Sequence, residues 1–424
     1  MLNQTARIIS TYSADTFGVC SALFELGGMV VIHDPSGCNS TYTTHDEPRW
    51  YDHDSMIYVS ALNEQDAILG NDTRFLDETI ETVRQQQPAF VCLIASQIPF
   101  LIGTDMAALA RIVEKKTDVP AFTLPTNNMH YYERGIYFAL EKLAKHVAAV
   151  TKGKEKAWAP AGKTFQHLTT KAPSLTLNIL GVTPQDFSVN GSEDTMHIWA
   201  KSHGFHVQSC WARKTSLAEI EQSGHVDVNL VVTYGGLGAA RVLQKELGIP
   251  FVIGAPIGVM QTYLAKALPK TAEDKQTRCP FLKDAGQRDF LTEELDKAVL
   301  PHTEGSALHQ ASPSSLLIGE SVYAQSLAEA IASATGHPFR VIVPMETEPC
   351  LLRRDTIRVI DEVDLEPLFA QAPSIIGDPM YQPILPKTSR FIPLPHEGFS
   401  GRLYERQIPN LIHADALQQF LTKI

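Results

Sequence analysis

The chain passes three times through the same alternation of short apolar runs and longer amphipathic stretches. In the first round Met29–His33, Met56–Ser60, Phe90–Ala95 and Ala121–Thr123 read as strands. Between and after them, Phe75–Gln86, Asp105–Lys116 and Tyr131–Val150 place apolar residues at helical spacing. The run Phe90-Val-Cys-Leu-Ile-Ala95 is apolar throughout, as a strand covered on both faces must be, and Cys92 within it reads as core. Ahead of these, Phe17, Cys20, Leu23 and Phe24 recur at helical spacing, and Gly27-Gly28 closes the pattern. The stretch around Asn63, Glu64 and Asp66 reads as a polar loop.

Thr151–Pro173 has no periodicity and reads as a linker. The second round has strands at Leu175–Leu180, Phe205–Ser209, Val228–Val232 and Phe251–Ile253. Its helices are Ser192–His203 and one that follows Tyr234-Gly-Gly-Leu-Gly238 and runs to Leu247. Lys270–Ser312 is polar and irregular, an insertion or a cover. The third round has strands at Ser315–Ile318, Phe339–Val343 and Ser374–Ile376, with helices over Tyr323–Thr335 and Thr356–Phe369. A loop, Phe391–Arg402, and a helix, Asp415–Thr422, close it. Strands alternating with helices make parallel βαβ units. The expected fold is therefore α/β, three Rossmann-like domains with parallel sheets, over residues 1–165, 166–312 and 313–424.

Composition changes this picture little. A chain of 424 residues exceeds one ordinary core, which agrees with several domains. A net charge of −11 gives no electrostatic footprint for nucleic acid. The amino-terminal stretch lacks a signal-peptide layout, and the longest apolar run, Ala89–Gly103, is broken by Ser96-Gln97 and too short to span a bilayer. The 6 cysteines are scattered, as reduced thiols of a cytoplasmic protein are.

Two of those thiols have positions of chemical interest. Cys20 lies on a helix face, and Cys38 follows the turn Asp34-Pro35-Ser36-Gly37 at the carboxyl end of a strand. In α/β sheets such an end faces the ligand crevice. Thiolates from separate elements can converge on iron and sulfide. There is no C-x-x-C pair, so spacing leaves Cys20 and Cys38 open between ligand and core. His45, Asp46, Glu47 and Arg49 follow closely; they can orient a cluster, but read mostly as a solvated loop. The Gly235–Gly238 turn lacks the G-x-G-x-x-G layout and reads as a plain strand-to-helix turn.

Three segments together resemble the nitrogenase component 1 superfamily. They are the Cys20 helix ahead of a strand, His33-Asp-Pro-Ser-Gly-Cys38, and Ser60-Ala-Leu-Asn-Glu-Gln-Asp-Ala-Ile-Leu-Gly70. The resemblance implies an iron–sulfur cluster where two subunits meet, with Cys20 and Cys38 as candidate ligands and Gly37 beside them. A third family cysteine is replaced here, with Gln97 near its place in Ser96-Gln-Ile-Pro-Phe-Leu-Ile-Gly103. Two thiols from each of two chains make the ligand set of one [4Fe–4S] cluster. The second-domain cysteine that holds the molybdenum cofactor in the family is also missing near Thr233, which leaves a second metallocofactor open. His396, Glu397 and Arg402 are candidates for the wall of the inner cavity, His396 and Glu397 for catalysis; an exposed histidine with no role is the other reading. The resemblance further implies a homodimer, or a heterodimer or tetramer with a homologous subunit. Electrons would come from a separate ATP-hydrolysing iron protein, since this chain has no P-loop. The implied activity is that of a nitrogenase-like reductase; a scaffold for cofactor assembly is the alternative.

Overall fold

The computed structural model describes residues 8, 11, 13–37, 47–159, 174–281, 314–353, 355–359 and 362–424. Cys38, His45 and Asp46 lie outside the described residues, as do the later part of the expected linker and most of the polar stretch after residue 281.

Three parallel sheets organise the chain, each from one round of alternation. The first holds β1 (Met29–His33), β2 (Met56–Val59), β3 (Val91–Ala95) and β4 (Ala121–Thr123) in the order β2-β1-β3-β4. Its helices are α1 (Asp15–Leu23), α2 (Glu64–Leu69), α3 (Thr73–Gln86), α4 (Gln97–Leu101), α5 (Met106–Thr117) and α6 (Tyr132–Thr151). The second holds β5 (Thr176–Leu180), β6 (His206–Trp211), β7 (Val228–Val231) and β8 (Phe251–Ile253) in the order β6-β5-β7-β8. Helices α7 (Pro184–Phe187), α8 (Ser192–Ser202), α9 (Leu217–Glu221), α10 (Leu237–Leu247) and α11 (Val259–Asp274) go with it. The third holds β9 (Ser315–Ile318), β10 (Phe339–Val343), β11 (Ile357–Arg358), β12 (Ser374–Gly377) and β13 (Arg390–Pro393) in the order β11-β10-β9-β12-β13. Its helices are α12 (Ser321–Thr335), α13 (Glu362–Phe369), α14 (Glu397–Ser400) and α15 (Ala414–Leu421).

Every sheet reverses its winding once, where two crossovers leave in opposite directions. Those switch points fall between β1 and β3, between β5 and β7, and between β9 and β12. A crevice opens at the carboxyl ends of such strand pairs, which is where open α/β sheets bind ligands.

Helix α6 joins the first sheet to the second, and its seating shows how tightly the parts pack. A methyl group at Gly18 of α1 would stand 1.8 Å from the carbonyl oxygen of Tyr132, and one at Gly135 would stand 1.8 Å from that of Asp15. The two helices therefore cross backbone against backbone, which only glycine allows. The apolar stripe of α6, with Ile136, Leu140, Leu143 and Val147, is completely buried.

Several elements differ from the sequence reading. The expected polar loop near Asn63 is helix α2, started by the Asn63 side chain, which accepts from Asp66 N at 2.8 Å. The expected helix from Thr356 begins only at Glu362, because Ile357 and Arg358 pair with β10 as an edge strand. Residues 270–274, read as irregular, complete α11. The linker does not leave the surface at once: Trp158 stacks on His146 with ring centroids 3.7 Å apart and on Phe122 at 5.5 Å.

Candidate functional site

The first switch point carries the turn that leads to Cys38. Asp34 is buried, and its Oδ2 accepts from Ser36 N at 2.7 Å, closing an Asx turn with Ser36 at φ 79°. Ser60, at the end of β2, holds the same turn from the side. Its Oγ accepts from Asp34 N at 3.1 Å and lies 2.8 Å from His33 Nδ1. Leu62 N donates to Asp34 O at 2.8 Å. Burial lowers the His33 pKa to about 4, so the ring is neutral near pH 7. The turn is thus pinned at its base while Pro35 and Gly37 are exposed at its tip.

The neighbouring strand ends place α2 and α4 on either side of this turn. Unlike the core-facing helices, they present apolar side chains to solvent: Ile68 is 74% exposed, Leu69 78% and Leu101 70%. Phe100 and Ile102 are also exposed. Both helices follow strands that pair with β1, the strand that leads into this turn. Gln97 is half-buried at the start of α4, and its Nε2 donates to Asn128 O at 3.3 Å.

Cys20 lies on α1. Its side chain belongs to the apolar core together with Cys92, and it is completely buried. Burial, with Cys92 and Glu47 nearby, pushes the thiol pKa well above its usual value. Among the described residues no group of three or more His, Cys, Asp or Glu side chains could hold a metal ion.

Glu47 and Arg49, read as part of a solvated loop, are buried instead. Arg49 Nε donates to Glu47 Oε1 at 2.6 Å, Nη1 to Glu25 Oε1 at 2.9 Å and Nη2 to Ser21 O at 2.9 Å. Nη1 also reaches Ala212 O, in the second domain, at 3.4 Å. This knot fixes α1 and ties it to the next sheet.

A second site forms where the other two switch points meet the start of α6. Tyr132 OH donates to Asp186 Oδ1 at 2.5 Å, at the carboxyl end of β5. Glu320, just after β9, caps α12 by accepting from Val322 N and Tyr323 N, and its Oε1 accepts from Tyr234 N at 2.9 Å. His396 is not an exposed loop histidine but is buried, its ring 4.4 Å from Phe399 and its Nε2 3.5 Å from Asp186 Oδ1. Glu397 is buried beside it, whereas Arg402 is exposed.

This junction is rich in polar atoms. Among the described residues, both carboxylate oxygens of Glu133, Oδ2 of Asp186 and both ring nitrogens of His396 have no hydrogen-bond partner. Burial, then Asp186 and Glu320, push the Glu133 pKa well above the usual carboxylate range. Burial, then Asp186, raise that of Glu320 to about 7. Burial of Glu133 thus favours its protonated form over the carboxylate. Tyr132, Glu133, Asp186 and Glu320 were not singled out from the sequence. The available signal was position, since Asp186 and Glu320 each follow the carboxyl end of a strand next to a switch point. Gly235 and Gly236 form the expected plain turn, a short 3₁₀ segment entering α10.

Comparison with known proteins places the chain in a family. The sequence profile of the nitrogenase component 1 type oxidoreductases matches residues 16–276. The nitrogenase molybdenum-iron protein alpha chain of Klebsiella pneumoniae is 24% identical over 57% of this chain and 48% of its own length. The nitrogenase iron-molybdenum cofactor biosynthesis protein NifE of Sinorhizobium fredii is also 24% identical, over 51% of this chain and 40% of its own length. The chain thus spans about half the length of the curated relatives it matches. The solved structure of nitrogenase Cp1 at pH 5 superposes with a TM-score of 0.63 at 13% identity, covering 99% of this chain and 90% of that one, which shows a shared fold. Among the described residues, no helix is long and apolar enough to cross a membrane. The profile match covers more than half of the 424 residues, and the chain belongs to the nitrogenase component 1 type oxidoreductase family.

Proposed function

We propose that this chain is the catalytic component of a nitrogenase-like reductase, with an iron–sulfur cluster, most simply [4Fe–4S], held between it and a second identical or homologous subunit. One observation carries the reading. The turn leading to Cys38 is pinned by Asp34 and Ser60 at a switch point, and exposed apolar side chains of α2 and α4 flank it. Exposed apolar side chains of this kind lose water favourably against a partner chain.

In this reading Cys38 and Cys20 are the ligands, with Gly37 and Gln97 near the cluster. Cys20 sets a condition, because its apolar surroundings disfavour a bare thiolate and the metal itself must stabilise the deprotonated form. The bound cluster would supply one-electron transfer, fed by an ATP-hydrolysing iron protein. The chain's own residues would do the rest. Ser60 and Asp34 fix the ligand turn. At the inner junction, His396, with Glu397 beside it, and Glu133 would hold protons for a substrate bound between the domains, and Tyr132 would orient Asp186.

The kinship with NifE proteins supports a second reading, a scaffold on which a cofactor is assembled. Turnover with reductant, iron protein and MgATP separates the two: a scaffold gives no reduced product. The test of the cluster is iron and sulfide content after anaerobic purification. Wild type is expected to carry both, and Cys38→Ser to lose most of its iron while keeping its circular dichroism spectrum. Cys20→Ala is expected to lose iron as well. Retention of full iron by Cys20→Ala assigns that thiol to the core, and retention by Cys38→Ser overturns the proposal.

A further inference from the structure

Away from both sites, a half-open groove of about 480 Å³ runs between α6 and α10. Its volume lies within the roughly 300–1,000 Å³ of small-molecule sites. The two helices are tied at both ends. Lys152, at the end of α6, reaches Glu246, near the end of α10, at 2.7 Å. At the other end Tyr137 packs on Gly238, where a methyl group would stand 2.8 Å from the ring. From Gly238 to Glu246 the groove follows α10 for about 12 Å.

Its charge runs against that of the chain. Five cationic side chains line it against two carboxylates, in a protein of net charge −11. Three of the cations are paired: Lys145 with Glu141 at 3.0 Å, Lys152 with Glu246 at 2.7 Å, and Arg241 with Glu348 at 2.6 Å. Lys154 and Lys245 line the groove and, among the described residues, form no ion pair. Capping of helix dipoles accounts for Lys245, in the last turn of α10, but not for Lys154, beyond the end of α6. Ala148, Ala149 and Val242 add an apolar part to the lining, and both lining carboxylates, Glu141 and Glu246, are already paired with lysines.

We propose that this groove binds a small polyphosphate, free or carried on a nucleoside, with Lys154 and Lys245 as its direct cations. The lysines act as point charges on phosphate oxygens, and Lys145 and Lys152 can turn from their carboxylates to the ligand. Gly238 keeps the wall low beside Tyr137, whose ring offers a nucleoside an aromatic surface at the far end. Concentration of positive charge in a concave strip of an acidic protein focuses the field on that strip.

The test is calorimetric titration of the intact chain with inorganic triphosphate and with adenosine triphosphate, in metal-free buffer at low and high salt. The expected result is saturable binding that weakens at high salt. In Lys154→Glu/Lys245→Glu, which alters only exposed side chains, affinity should fall by at least about tenfold. The spectrum and melting temperature of that variant show that it is folded. Equal affinity for the two probes assigns the site to the phosphate chain. Tighter adenosine triphosphate, with the gain removed by Tyr137→Leu, assigns it to a nucleoside polyphosphate. Absence of saturable binding at low salt, or wild-type affinity in the double variant, overturns the proposal.

Discussion

The hydroxyl of Ser60 lies 2.8 Å from Nδ1 of His33, and through this contact two segments 27 residues apart act as one unit. Both segments carry the family likeness, and each is unremarkable alone. Joined, they form a braced base for the turn leading to Cys38: the hydroxyl engages the ring while it accepts from Asp34 N at 3.1 Å.

Ser60→Ala removes both contacts and leaves a buried ring nitrogen and a backbone donor unpaired. The expected loss is about 1–3 kcal/mol of stability, read as a lower urea midpoint at unchanged slope. Ser60→Thr, which keeps the hydroxyl, should recover part of it. A wild-type midpoint in the alanine variant would show that the brace contributes nothing.

Arg49 offers a sharper case. Its guanidinium serves Glu47, Glu25 and the Ser21 carbonyl at once. Lysine keeps the charge but not the planar fork, so Arg49→Lys leaves buried carboxylate oxygens unmet. Breaking a buried pair costs about 3–5 kcal/mol; the lysine variant should lose a substantial part of that. Thermal unfolding of Arg49→Lys and Arg49→Met measures it, and a wild-type midpoint in both would place the knot outside the stability of the fold.

Asp15 gives a pH signature. It is buried, and burial raises its pKa from 3.8 to about 6, against the Asn127 and Asn128 amides that donate to it. Between those values the folded chain binds more protons than the unfolded one. Its contribution is therefore least costly at low pH and becomes more destabilising as pH rises from about 4 to about 6. His33, lowered from 6.5 to about 4, works in the opposite sense over much of the same range. The informative quantity is the difference between wild type and Asp15→Asn at each pH. The variant should gain on wild type as pH rises through this window, and a pH-independent difference would contradict the shifted carboxyl.

Much of this architecture could be read from pattern, because strands buried on both faces and amphipathic helices leave strong periods. What escaped was what depends on partners. The edge strand at Ile357 is held by β10, and α2 is a helix with no buried residue whose cap, Asn63, does what its apolar periodicity does not. The turn at Asp34–Gly37 was legible as a turn because its residues are contiguous and rich in turn formers. The inner junction was not, because Tyr132 and Asp186 are 54 positions apart and only the shared carboxyl ends of two sheets bring them together. The burial of Glu47 and Arg49 was hidden for the same reason: four polar, titratable residues within five positions look solvated until Ser21 of α1 and Glu25 just after it arrive.

Glu320 grips two things at once: the first turn of α12 and the backbone of Tyr234 on the neighbouring sheet. Any movement that parts these sheets at Tyr234 would pull on the same carboxylate that starts the helix. Such a parting and unwinding at the head of α12 are thereby geared together, so hydrogen exchange at the Val322 and Tyr323 amides would report on both.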